Sequence, residues 1–202
     1  MPAAEQSTLS IPVGPVRIAV VVVTYDAPPQ LLEQCVEALL ATTDRTTVEV
    51  IVVDTGGAAH RRLRDSGDAV TVLDLGVNAG FAAAVNAGFE VGLDDGAQVL
   101  VSLNDDVLVQ RGWLEPLVDA LAAGSASHLG AVQPLLVQLG SEPAEINSAG
   151  VEIDRFGAGS DRLRACPVGD AGPARLDAVT GGAAAWSAAF VRDVGPADER
   201  FV

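Results

Sequence analysis

Two adjacent carboxylates, Asp105 and Asp106, preceded by Asn104, are the sharpest chemical feature of this 202-residue chain. They follow the apolar run Ala97–Leu103, and two carboxylates crowded at the end of a buried strand repel unless a cation sits beside them. A hard divalent cation, Mg2+ or Mn2+, bridging such carboxylates to phosphate oxygens relieves that repulsion. The pair Asp94-Asp95 has no strand in front of it and reads as an ordinary solvated helix end.

Three other apolar runs end in the same way. Arg17–Thr24 leads into Thr24-Tyr25-Asp26, Val48–Val53 into Asp54-Thr55-Gly56-Gly57, and Val70–Leu75 towards Asn78-Ala79-Gly80. Asp and Asn are common in turns and helix caps, so any one of these means little alone. Four consecutive strand ends of this kind point to a single ligand-binding edge, because open parallel sheets bind ligands beyond the carboxyl ends of their strands.

The elements that must position those ends alternate regularly. The β-branched run Arg17–Thr24 predicts a strand buried on both faces. Pro28–Thr42 carries Leu31, Leu32, Cys35, Leu39 and Leu40 at helical spacing, with its prolines at the start. Val48–Val53 predicts a second strand, Ala58–Ser66 a short polar helix and Val70–Leu75 a third strand. Gly80–Leu93 predicts a helix with Phe81, Val85, Phe89 and Val91 turned inward. A fourth strand, Ala97–Leu103, precedes a helix over Trp113–Ala123 and a further strand over Leu129–Leu136. Such alternation implies right-handed βαβ units and an α/β fold: one domain with a mainly parallel open sheet flanked by helices. Residues 1–16, with three prolines, read as a flexible leader before a domain over 17–202. The Gly-, Pro- and Asp-rich stretch Glu142–Gly172 reads as a loop or hairpin insertion. Leu176–Trp186 follows as a strand or turn of small residues, and Ser187–Val194 as a short helix.

Composition removes several chemistries. All 12 basic residues are arginine, against 27 acidic ones, for a net charge of −15. Without lysine there is no P-loop lysine, no Schiff base and no lysine general base. A GxxxxGK[ST] loop is absent, and the first strand is followed by Thr24-Tyr25-Asp26-Ala27-Pro28 instead of GxGxxG. The acidic balance opposes non-specific binding to nucleic acid, so none is expected as a partner. Cys35 and Cys166 lack zinc spacing and suit a reduced, cytoplasmic setting, and His60 and His128 are too isolated to suggest a metal site. The apolar runs are far too short to span a membrane, which leaves peripheral association at the inner membrane face open. Carboxylates with a metal, and no glycine-loop phosphate site, suit a nucleotide-diphosphate ligand whose pyrophosphate the metal neutralises.

The segments VVVVTYDAPPQLLEQCVEALL, VEVIVVDTGG, LGVNAGFAAAVNAGF and LVSLNDDV resemble, in order, the motifs of family 2 inverting glycosyltransferases of the A-type fold, closest to the rhamnosyltransferase-like branch. The resemblance runs from about Val16 to Val202. It implies that Thr24, Tyr25 and Asp54 hold the base and ribose of a nucleotide-sugar donor, with Asp26 standing where the family has Asn. Asn78, Gly80, Phe81 and Asn86 match the segment beside the pyrophosphate and sugar. Asn104-Asp105-Asp106 matches the DxD-type motif with Asn first, and makes Asp106 the expected metal ligand. Thr180-Gly181-Gly182 matches the segment that opens the acceptor site. Residues 17–140 would then form the nucleotide-sugar-binding half and 141–202 an acceptor-side half, with the catalytic base expected beyond Val202.

The expected activity is metal-assisted transfer, with inversion, of a sugar such as rhamnose from a UDP- or dTDP-linked donor. The acceptor would be a glycan, lipid-linked or small-molecule hydroxyl, in cell-wall or polysaccharide biosynthesis. Two other readings stand beside it. One is a non-catalytic sugar-nucleotide-binding module or a truncated, inactive fragment, and the other a sugar nucleotidyltransferase attacking phosphorus on the same kind of sheet.

Overall fold

The computed structural model describes residues 16–44, 47–57, 59, 63, 67, 69–124 and 129–200. Four parallel strands form its centre: β1 (Ile18–Thr24), β2 (Val48–Asp54), β3 (Thr71–Asp74) and β4 (Val99–Asn104). Their order across the sheet is β3-β2-β1-β4, extended beyond β4 by β10 (Ala183–Ser187) and then β5 (Ala131–Val132). β10 runs antiparallel to both of its neighbours. The expected α/β architecture with a mainly parallel sheet is therefore present.

Every residue of β1 is buried, as its unbroken β-branched run requires. Alternate residues serve opposite faces. Val20, Val22, Val50, Val52, Val101 and Leu103 pack with α1 (Pro29–Thr42) and α3 (Glu115–Gly124). Ala19, Val21, Val23, Ile51, Val53 and Leu100 pack instead with α2 (Gly80–Asp94). On α1 the buried set Leu32, Cys35, Val36 and Leu39 makes one stripe at i, i+3, i+4 and i+7. The helix ends where the Thr43 amide and hydroxyl both donate to Leu39 O, at 3.0 and 2.7 Å.

Three expectations change. Helical spacing turns Phe81 inward with Val85 and Phe89, but it is 40% exposed while those two are buried. It lies in the first turn of α2, and its ring lies against Gly181, where a Cβ would meet Phe81 Cε1 at 3.2 Å. The strand expected over Leu129–Leu136 is broken. Ala131–Val132 joins the main sheet, while β6 (Leu136–Val137) pairs with β7 (Ile146–Ser148) in a separate ribbon. Pro134, which has no N–H to donate, sits at the break. Helix α3 begins two residues later than expected, at Glu115.

The expected insertion holds β7, the hairpin of β8 (Val151–Ile153) with β9 (Gly159–Asp161), and a 3-10 turn at Val168–Asp170. Ser187 caps α4 (Ala188–Val194), its hydroxyl accepting from the Phe190 amide at 3.1 Å. The leader, most of the helix expected at Ala58–Ser66, and His60 and His128 lie outside the described residues. Among the described residues no helix is long and apolar enough to cross a membrane.

Candidate functional site

Register sets the site. Thr24 of β1 lies beside Asp54 of β2, Asp54 beside Asp74 of β3, and Val23 beside Asn104 of β4. Three of the four polar strand ends expected from the sequence, those of β1, β2 and β4, therefore lie along one edge of the sheet. Asp74 belongs to the same row, and sequence reasoning misses it. Its signal is present, since TVLD repeats in short form the apolar-run-then-Asp pattern of VEVIVVD. Asp74 Oδ1 accepts from the Gly76 amide at 2.8 Å, so its immediate role is to shape the turn.

The loops after β1 and β2 are built together. The Thr55 amide and hydroxyl both donate to Thr24 O at 3.0 Å. Asp26 takes φ of 44°, a left-handed conformation that Asp tolerates better than most residues. Its backbone approaches Gly56 so closely that a Cβ there would lie 2.9 Å from Asp26 N. Asp54 is 2% exposed. Its Oδ1 accepts from the Gly56 and Gly57 amides at 2.8 Å, and its Oδ2 from the Ala59 amide at 2.5 Å. The carboxylate thus organises its own loop. Thr24 Oγ1 is buried with no hydrogen-bond partner among the described residues, while Tyr25 is exposed.

Across β1, Asn104 and Asp105 are half-buried and Asp106 is exposed. Beneath them the Cys35 thiol of α1 points at Asn104 O, 3.8 Å away. Burial pushes this thiol well up, and the charges of Asp105 and Asp106 push it further, so it remains protonated. Because β10 is antiparallel, its start lies at the same edge as the end of β4. The Asn104 amide donates to Gly182 O at 3.0 Å, which brings Gly181 and Gly182 to the carboxylate turn. Asn78 and Gly80 open α2 on the other side, where Asn78 Oδ1 accepts from the Gly80 amide at 3.1 Å. Asn86, one and a half turns further on, faces the segment Ala197–Glu199.

Two concavities occur elsewhere. One, of about 360 Å³, lies among Arg17, Glu49, Thr71 and Asp95, and the other, of about 1120 Å³, lies beside β5 and the 171–179 loop. Neither is lined by the strand-end carboxylates, so chemistry and register, rather than cavity size, locate the site.

The sequence model of the family described as Glycosyl transferase family 2 matches residues 19–134, more than half of the chain. The chain belongs to this family. That match contains every polar strand end described above and both Asp105 and Asp106. Among solved structures, GalNAc-T7 with UDP, GalNAc and Mn2+ is 18% identical with a TM-score of 0.68, covering 91% of this chain and 37% of that one. The mannosyltransferase PcManGT from Pyrobaculum calidifontis, with GDP-Man and Mn2+, is 19% identical with a TM-score of 0.62, covering 93% and 50%. The chain thus spans half or less of the length of each. At these identities the likeness shows the fold alone, that of the A-type glycosyltransferases. No curated protein matches the chain.

The carboxylate turn of this family 2 chain suits a divalent cation whose shell is completed from outside the protein. No group of three or more His, Cys, Asp or Glu side chains that could hold a metal occurs among the described residues. A protein-only cage is therefore absent there. Mg2+ and Mn2+ sites on phosphate substrates need less, since one or two carboxylates suffice when phosphate oxygens and waters complete the shell. Asp105 and Asp106 meet that requirement.

Proposed function

We propose that this chain binds a nucleotide-diphosphate sugar across the ends of β1–β4 and serves transfer of the sugar to a hydroxyl acceptor. The observation that carries the reading is the row Asp54–Thr24–Asn104, continued by Asp105 and Asp106, along one edge of a sheet within a family 2 match. Thr24, Tyr25 and Asp26 lie where the base and ribose would rest, on a loop whose shape Asp54 sets. Asn78, Gly80 and Phe81 flank the diphosphate and sugar at the start of α2, where helix amide groups favour negative charge. Asp106, assisted by Asp105 and Asn104, would hold the cation. When bound, the cation stabilises negative charge on the departing diphosphate.

In this reading the acceptor enters from the side of Gly181 and Gly182, on the strand joined to Asn104. Inversion follows if an activated hydroxyl attacks the anomeric carbon directly as the diphosphate leaves, and no base is assigned to a described residue. A UDP- or dTDP-linked sugar such as rhamnose is the proposed donor, and a glycan, lipid-linked or small-molecule hydroxyl the acceptor. We assign the reaction to the cytoplasmic side of a membrane or to the cytoplasm itself.

The test is calorimetric titration of the chain with UDP, dTDP and GDP, each with and without Mn2+. Manganese-dependent binding of one of them supports the reading. Equal, weak binding with and without metal refutes it. Measuring released nucleoside diphosphate against released pyrophosphate separates glycosyl from nucleotidyl transfer.

A further inference from the structure

Asn86 lies on α2, yet its polar contacts reach residues more than a hundred positions away. Its Oδ1 accepts from the Ala197 amide at 2.9 Å, and its Nδ2 donates to Ala197 O at 3.0 Å. The same Nδ2 donates to Glu199 Oε1 at 2.9 Å. A carboxamide paired with both the N–H and the C=O of one residue has only one orientation, because a flip would set donor against donor. The oxygen and nitrogen of this side chain are both engaged.

This clamp is one of several contacts along the same helix. Phe81, in the first turn of α2, carries its ring against Gly181. Towards the other end, Arg192 donates to Leu93 O at 3.4 Å, and Val191 packs into the cluster that contains Val85 and Phe89. The region 181–199 therefore runs along α2 and is fastened at its start, middle and end. Gly181 and Gly182 are also the residues that reach the carboxylate turn through Asn104.

We infer that Asn86 is a positioning residue for the acceptor side, holding Ala197–Glu199 along α2, and not a ligand of the nucleotide donor. The inference rests on the glycosyltransferase reading and sharpens it. One end of α2 borders the donor, and its second turn orders the segment beside which a hydroxyl-bearing sugar acceptor would lie. The amide that the resemblance places on the donor is committed to the acceptor-side backbone.

Three measurements on Asn86→Ala test this. Amide exchange at Ala197 should rise at least tenfold while exchange in β1 and β4 stays unchanged. Affinity for UDP or GDP with Mn2+ should stay within twofold of the parent. Saturation-transfer signals from a panel of methyl glycosides, used as acceptor probes on nucleotide-loaded protein, should fall at least threefold. Asn86→Asp keeps an acceptor for the Ala197 amide but sets a carboxylate oxygen against Ala197 O and Glu199, so it should lower the glycoside signal with a smaller rise in Ala197 exchange than Asn86→Ala gives. Glu199→Gln added to it supplies an amide donor to the introduced carboxylate and should restore part of the glycoside signal. A tenfold loss of nucleotide affinity in Asn86→Ala, unchanged exchange at Ala197, or a glycoside signal that is absent from the parent or undiminished in the variant would each overturn the inference. Failure of the parent to bind any nucleotide would strike the glycosyltransferase reading itself, a pattern distinct from all of these.

Discussion

The Cys35 thiol and the main-chain carbonyl of Asn104 lie 3.8 Å apart, joining the middle of α1 to the turn that bears Asp105 and Asp106. A thiol in that place is buried and faces two carboxylates. Burial raises its pKa first and the two charges raise it further, from 9.0 to about 12.

Stability should therefore fall in alkali. The unfolded chain releases the Cys35 proton near pH 9, whereas the folded chain keeps it until about 12. Between those values the native state binds more protons than the unfolded one, so the stabilisation is complete below pH 9 and lost as pH rises towards 12. The slope is about 1.4 kcal/mol per pH unit for one such group. Urea denaturation of the parent and Cys35→Ala should show their stability difference shrinking above pH 9. A difference that stays constant up to pH 11 would mean that the thiol ionises normally.

Gly88 supplies a packing prediction. A methyl group there would overlap both Val21 methyls on the central strand, and one on Gly92 would lie 2.5 Å from Ala19 Cβ. Alanine gains up to about 1 kcal/mol in helix propensity, but overpacking a buried contact costs about 1–3 kcal/mol. Gly88→Ala should thus destabilise by up to about 2 kcal/mol. Combining it with Val21→Ala should recover at least about 0.5 kcal/mol relative to the sum of the single changes, because the space is then open. Additive losses would show that helix and strand do not meet there.

How much of this is legible beforehand depends on the range of each interaction. IAVVVVT and VEVIVVD announce strands buried on two faces, because their apolar runs are unbroken, and the Asp or Thr ending each run marks the edge where a ligand belongs. Ser187 at the start of α4 is likewise a local signal. Periodicity misplaces Phe81 because helical spacing reports a face and not whether the sheet extends far enough to cover that turn. It also misplaces Leu129–Leu136, whose apolar pattern continues through Pro134 while pairing divides there between two sheets. The inward turn of Asp54 depends on three amides of the following loop. The clamp of Asn86 depends on a segment 111 residues away. No periodicity in the chain carries either.

Asp106 is proposed to hold the cation, and Asp94 serves as its control. Asp106 follows β4, whereas Asp94 ends α2. Asp106→Ala should weaken manganese-dependent nucleoside diphosphate binding by roughly 10–100-fold, the scale seen when a metal-site partner is lost. Asp94→Ala should leave it unchanged. Calorimetry of both variants decides, and equal affinities in Asp106→Ala and the parent would remove Asp106 from the site.

Asp54 carries the last prediction, because two roles for it predict different outcomes. A carboxylate that contacts the nucleotide base would discriminate between bases, so Asp54→Asn would shift the preference among UDP, dTDP and ADP with little change in stability. The observed geometry predicts the opposite. Asparagine can keep one acceptor oxygen for Gly56 and Gly57, but its amide group would meet the Ala59 N–H donor against donor. One charged hydrogen bond is lost and one donor is left facing another, a cost of about 1.5–3 kcal/mol. The loop that packs against Asp26 should loosen, and affinity for all three nucleotides should fall by a similar factor while their ranking stays the same. Urea denaturation reads the first effect, and competition titration with manganese the second. A variant as stable as the parent with an altered ranking would assign Asp54 to the base after all.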